Sequence, residues 1–202
     1  MIKFRNAQAG DIDTIMELEK KSFIPQIQED KTVFLERIKK FPELFLIFYD
    51  ETDPEKKIGY VSAEFLEKMP ESAEEIKLGH IPQPYEKQFF GKNSKESEIT
   101  VFSAFIYISS FCIFPENRGE GLGKKCWNLA MNYFENDLQF LHFKSKGFLL
   151  LVNEEWQAAI SIYKKSGFKT KKIFENFFQN QKNSFSNGIL MEKSDKRCAN
   201  EN

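Results

Sequence analysis

Phe111-Cys112-Ile113-Phe114-Pro115-Glu116-Asn117-Arg118-Gly119-Glu120-Gly121-Leu122-Gly123 joins an apolar run to a glycine-rich turn. The run opens at Phe102, so residues 102–114 are long enough for a central strand. Pro115-Glu116-Asn117 then supplies turn chemistry, and the glycines hand the chain on to a helix. In that helix Leu122, Cys126, Leu129, Ala130, Tyr133 and Phe134 fall at i, i+4, i+7, i+8, i+11 and i+12, an amphipathic register with one face for a sheet. Phe148 to Val152 reads as a second buried strand, and 154–166 as a second helix closed by Gly167 in the C-cap role. Strand, helix, strand, helix is the pattern of an α/β domain.

On the N-terminal side, Ile2-Lys3-Phe4-Arg5 alternates like a short strand. Asp11 is placed to cap a helix carrying Ile12, Ile15, Met16 and Phe23. A further helix is expected over 29–41, with Phe34, Ile38 and Phe41 on its buried stripe and Pro42 ending it. Leu44 to Tyr49 and Ile58 to Leu66 make a hairpin around the polar stretch 50–57. Residues 168–178 and 184–192 close the sheet around the loop 179–183, and 194–202 reads as a frayed tail. Between the hairpin and the central strand lies 67–98, rich in Pro, Gly and charge; loops of that length are uncommon and usually functional or disordered. One domain is therefore expected over 1–193, with 67–98 as an insertion able to act as a substrate lid.

Composition excludes several functions. The chain of 202 residues has 29 Lys and Arg against 30 Asp and Glu, so a net charge of -1 gives no electrostatic reason to bind nucleic acid or an anionic membrane. Cys112, Cys126 and Cys198 lack C-x-x-C spacing and fit a reducing compartment. With only His80 and His142, a His-rich metal site is excluded. No signal peptide or membrane span is visible, and a cytoplasmic monomer or homodimer is expected.

A glycine turn at a helix N-terminus offers unpaired N–H groups to a phosphate. The spacing G-x-G-x-G departs from the dinucleotide-binding G-x-G-x-x-G. It departs from the P-loop as well, which needs Gly where Arg118 stands and Ser or Thr where Lys125 stands.

Residues 111–123 resemble the acetyl-CoA motif R-x-x-G-x-G of the GNAT N-acetyltransferases, with Arg118, Gly121 and Gly123 in the defining positions. The family's later signature, A-x-x-x-Y-x-K-x-G-F, is matched by Ala159-Ile160-Ser161-Ile162-Tyr163-Lys164-Lys165-Ser166-Gly167-Phe168. The resemblance implies a GNAT-like α/β fold: a mixed central sheet of about six to seven strands with about four helices on both faces, splayed at the strand ending near Ile113. It implies acetyl-CoA as co-substrate, a primary amine as acceptor with a small amine favoured, and no metal. Amides of Arg118, Gly119, Glu120, Gly121, Leu122, Gly123 and Lys124 would hold the pyrophosphate. Backbone of Phe111, Cys112 and Ile113 would pair with the pantetheine arm, and an N–H near Ile113 would help the oxyanion. Tyr163 would protonate the departing thiolate. Where the family often has Asn, seven residues before that tyrosine, this chain has Trp156.

The base is the open position. Tyr107 and Ser109 stand where family members with a base on the central strand carry it, and neither is basic enough at neutral pH. A water relay past them, or a carboxylate such as Glu64 or Glu98, would substitute, although each carboxylate also reads as a surface charge. His80 lies in the insertion, and both this loop and Phe41-Pro42-Glu43-Leu44 resemble the arylalkylamine branch of the family. The cluster Glu67, Glu71, Glu74 and Glu75 is placed to attract a cationic amine or simply to face solvent. A protein N-terminus or lysine remains an alternative acceptor. A module that binds acyl-CoA without turnover, and an interaction domain with no cofactor, are alternatives of other classes.

Overall fold

The computed structural model describes residues 1–76, 102–138, 143–180 and 184–195. The expectations for Glu98, His80, His142, Cys198, the remainder of the insertion and the end of the tail fall outside them. The chain runs through β1 (Ile2–Asn6), α1 (Ile12–Ser22), α2 (Lys31–Lys40), β2 (Phe45–Asp50), β3 (Asp53–Leu66), β4 (Phe102–Ile113), α3 (Leu122–Asn132), β5 (Phe143–Asn153), α4 (Gln157–Lys165), β6 (Lys169–Gln179) and β7 (Phe185–Lys193). The seven strands form one sheet in the order β1-β2-β3-β4-β5-β7-β6. Every pairing is antiparallel except β4 with β5, as the strand-helix-strand connection through α3 requires.

Alternation along the strands divides the core in two. On one face Leu46, Phe48, Val61, Phe65, Ile106 and Leu150 pack against Cys126 and Trp127 of α3, Phe134 just after it, and Ile160 and Tyr163 of α4. On the other, Phe45, Ile47, Tyr60 and Cys112 meet Ile15 and Leu18 of α1 and Phe34 and Ile38 of α2. A smaller cluster extends this second face toward β7, where Ile76 packs with Tyr107, Leu149 and Leu190. The start of the insertion therefore lies on the sheet, fastened by Lys146, which donates to the Glu67 carbonyl at 2.7 Å, and Lys172, which donates to that of Glu71.

Several boundaries differ from the sequence reading for local reasons. Asp11 does not cap α1; its carboxylate turns back to accept from Arg5 and from the Gln8 amide. Asp30 caps α2 instead, accepting from the Thr32 amide at 2.7 Å. β3 begins at Asp53, well inside the expected turn. α4 starts late because the Asn153 side chain accepts from the Glu155 amide and its carbonyl from that of Trp156, a turn that delays the helix. Gly167 closes α4 at a φ of 95°, as expected.

Candidate active site

Two features coincide halfway along β4. Its pairing with β5 stops at Ile108 and Leu150, while its pairing with β3 continues to Ile113. At the same point Ser109 is an extra residue between the pairs Ser62–Ser110 and Ala63–Ile108, a β-bulge. Beyond the bulge the Phe114 amide donates to the Ile58 carbonyl, so Cys112, two residues back, faces β3 as well. Phe111 and Ile113 then turn their backbone groups into the gap left by β5. The backbone groups of Cys112, also expected to meet a ligand, are turned away from that gap toward β3. Its thiol lies against α1, 2.9 Å from Ser22 Oγ, and burial pushes its pKa up to about 12.

The glycine turn closes one end of this gap. Gly119 and Gly121 have φ of 91° and 73°, the left-handed region that favours glycine. Gly121 occupies the N-cap of α3, and the first helical bond runs from the Lys125 amide to its carbonyl at 3.1 Å. The amides of Leu122, Gly123 and Lys124 are thus left for another acceptor. The Arg118 amide is not among them, because it donates to the Pro115 carbonyl at 3.1 Å. The Arg118 guanidinium instead fastens the turn, donating from Nε to the Ile113 carbonyl at 3.1 Å and from Nη2 to Ser22 Oγ at 2.8 Å. Glu120 is exposed, and Leu122 is half-buried beside the turn.

A cavity of about 1280 Å³ passes from this turn through the gap to the α1 face of the sheet. Tyr163 reaches it from α4, 8% exposed, its ring 4.5 Å from that of Trp127. Burial raises its pKa well above that of an ordinary tyrosine, and the neighbouring Cys112 adds to the shift. Trp156 lines the same cavity between Phe23 and Phe178, at ring separations of 5.6 and 5.7 Å.

Tyr107, Ser109 and Ser110 form the floor on the α1 side. Burial and the charge of Glu64 push the Tyr107 pKa upward, which makes it a poorer base than free tyrosine. Ser109 Oγ donates to the Ser62 carbonyl at 3.2 Å. Glu64 is not a surface charge; it is 2% exposed on β3 and paired with Arg37 Nη2 at 3.2 Å, which also reaches Glu29 at 3.3 Å. Sequence reasoning missed Glu19, Tyr60 and Ser110. The Tyr60 hydroxyl donates to Glu19 and lies 2.7 Å from Ser110 Oγ, and Glu19 Oε2 accepts from the Glu29 amide at 2.9 Å. Of the acidic cluster, Glu74 lines the cavity, whereas Glu75 accepts from Ser72 and the Glu71 amide.

No protein-family model matches the sequence, and no curated protein matches it. Solved structures do. Arabidopsis thaliana NAA60 in complex with acetyl-CoA superposes with a TM-score of 0.67 at 17% identity, over 96% of this chain and 99% of that one. The loading GNATL domain of CurA from Lyngbya majuscula gives 0.66 at 13% identity, over 98% and 99%. The ribosomal-protein-S18-alanine N-acetyltransferase from Escherichia coli gives 0.63 at 13% identity, over 96% and 94%. Its mixed seven-stranded sheet and flanking helices thus follow a known architecture: the chain has the fold of the GNAT N-acetyltransferases.

Proposed function

We propose that the protein is an acetyl-CoA-dependent N-acetyltransferase acting on a primary amine. The observation that carries this reading is the convergence, in one cavity, of the open β4 backbone, the amides at the start of α3 and the Tyr163 hydroxyl. Bound acetyl-CoA supplies the acetyl group as an activated thioester. The amides from Gly119 to Lys124, at the positive end of the α3 dipole, receive its pyrophosphate. Phe111 and Ile113 offer outward backbone groups to its amide-bearing arm, and an outward N–H on this strand is placed to stabilise the developing oxyanion. Gly123 supports this assignment. Its φ is ordinary and an added Cβ would meet only the Ile113 side chain at 3.8 Å, so the free protein has no need of glycine there.

Tyr163 enters the reaction carrying its proton, because its raised pKa keeps it neutral throughout the physiological range. It gives that proton to the departing sulfur. Tyr107 and Ser109 line the acceptor end, where a neutral hydroxyl holds water or substrate rather than acting as a base.

The acceptor pocket joins Phe23, Ile76 and Phe177 to the carboxylates Glu19 and Glu29. That lining suits a small amine with an apolar body. A protein N-terminus is the second reading, favoured by the likeness to the E. coli alanine N-acetyltransferase and to Naa20, the latter solved with a bisubstrate analogue. The test is CoA release from acetyl-CoA with phenethylamine, putrescine and short peptides bearing free N-termini. Release with the small amines alone supports the first acceptor class, and release with the peptides alone replaces it by the second. No release with any of them, despite acetyl-CoA binding, leaves the protein an acyl-CoA-binding module.

A further inference from the structure

We propose that Ser110, Tyr60 and Glu19 form the proton exit of the acceptor pocket, taking up the proton an incoming ammonium must lose before its nitrogen can attack. The proposal rests on the acetyl-transfer reading and supplies the base that reading lacks.

Direction is built into the chain of hydroxyls. Tyr60 is fully buried, and its single phenolic hydrogen is committed to the Glu19 carboxylate. The 2.7 Å contact between Tyr60 and Ser110 must then be donated by Ser110. Ser110 lines the cavity, so with its hydrogen pointing inward its oxygen lone pairs are left to accept an N–H from that side. The bulge at Ser109 is what gives β4 this second serine: Ser109 turns to the Ser62 carbonyl, and Ser110 stays in register with β3 beside Tyr60. Glu19 is held still at the far end, its second oxygen accepting from the Glu29 amide at 2.9 Å.

Proton transfer balances without any further reagent. An ammonium N–H bond breaks as its hydrogen binds Ser110 Oγ; the Ser110 hydrogen passes to Tyr60 and the Tyr60 hydrogen to Glu19 Oε1. The amine keeps its electron pair and Glu19 becomes neutral. After product leaves, the proton returns by the same hydroxyls to water in the cavity.

The groups facing Glu19 are Tyr60 from β3, Glu29 and Arg37 from the α1–α2 connection and α2, and, behind Tyr60, Cys112 from β4. Burial favours the protonated carboxyl, and the Glu29 charge acts in the same sense. The bonds from Tyr60 and the Glu29 amide, with the Arg37 charge, oppose them, and the outcome is a raised pKa. A carboxylate so placed accepts a proton more readily than an exposed glutamate does.

Two readouts on Ser110→Ala, Tyr60→Phe and Glu19→Gln test the proposal. The first is the pH dependence of CoA release, with the best acceptor from the panel above. Each variant is expected to lose about 100-fold in kcat near pH 7, with KM for acetyl-CoA unchanged. The loss should shrink at high pH, where the amine arrives already neutral. A purely structural role would not restore the rate there. The second readout needs no turnover: in 13C-glutamate spectra of the free protein, the signal absent from Glu19→Gln should titrate above the ordinary range of a free glutamate. Tyr60→Phe should raise its midpoint further by removing a bond to the charged form. Should Glu19→Gln fail to fold, Ser110→Ala and Tyr60→Phe still decide the kinetic question. A wild type that turns over while Ser110→Ala and Tyr60→Phe keep its pH profile overturns the relay alone. So does a Glu19 signal, where assigned, that titrates with the exposed glutamates. A wild type that releases no CoA with any amine overturns the acetyl-transfer reading and the relay with it.

Discussion

Burial suits Tyr163 to the donor role proposed for it. Packed on Trp127 and largely removed from water, its phenol is held in the protonated form, which suits a donor and disqualifies a base. Replacing it by Phe keeps the ring packing and deletes only the hydroxyl. Tyr163→Phe should therefore lower kcat by roughly 100-fold or more, with acetyl-CoA affinity and Tm little changed, as stopped-time CoA release and calorimetry would show. Burial shifts Glu19 in the same sense, toward its protonated form. Because its folded pKa is raised, the folded state binds a proton more tightly than the unfolded chain does, so its contribution to stability is greatest in acid. That contribution is lost as pH rises from the ordinary carboxylate range through the folded value. Urea unfolding of wild type and Glu19→Gln from pH 4 to 8 should show wild type losing ground to the variant as pH rises, whatever their offset. An offset independent of pH would mean that Glu19 titrates as an exposed residue.

Gly59, Gly121 and Gly123 answer to three different constraints. Gly59 of β3 sits where an added Cβ would overlap the Cys112 carbonyl and stand 2.7 Å from Ile113 Cδ1, so β3 and β4 approach closely only because it lacks one. Gly59→Ala must push apart the strands that present Phe111 and Ile113. A stability loss of about 1–3 kcal/mol is expected from urea unfolding, together with weaker acetyl-CoA binding. Gly121→Ala forces a left-handed residue and should cost about 1 kcal/mol in the free protein. Gly123→Ala should leave Tm unchanged or slightly raised and yet weaken acetyl-CoA binding; equal affinity in that variant would place the ligand elsewhere. The turn, the helix after it and Tyr163 were legible in the sequence because glycine spacing and helical periodicity are local signals. The α1 side of the cavity was not. Glu19 and Tyr60 lie 41 residues apart, Glu64 read as a surface charge because its partner Arg37 comes from a distant helix, and nothing in the nearly apolar run from Phe102 to Phe114 says which residue bulges. Asp11 likewise looked like a helix cap until Arg5, across the turn from β1, claimed its carboxylate.

At the scale of the molecule, the splay means that two parts of the sheet meet over only part of their length. β1 to β4 carry α1 and α2 on one face, β5 to β7 continue beyond, and direct pairing between the two parts ends at Ile108 and Leu150. A ligand filling the gap touches β4 on one side and α4 on the other, so its binding energy is available only to the folded state. Acetyl-CoA at about 1,000 times Kd should then stabilise the protein by about 4 kcal/mol, which in a chain of this size raises Tm by roughly 10 °C. The increment should grow with the logarithm of ligand concentration, because a linked equilibrium has no fixed ceiling until ligand also binds the unfolded chain. Gly123→Ala should reduce the shift without altering the unliganded Tm, whereas Gly59→Ala should lower both, since it deforms the strand that makes the gap. A concentration-independent Tm in differential scanning calorimetry, with titration calorimetry also silent, would make the glycine turn a turn and nothing more, and acetyl transfer would lose its structural basis in this protein.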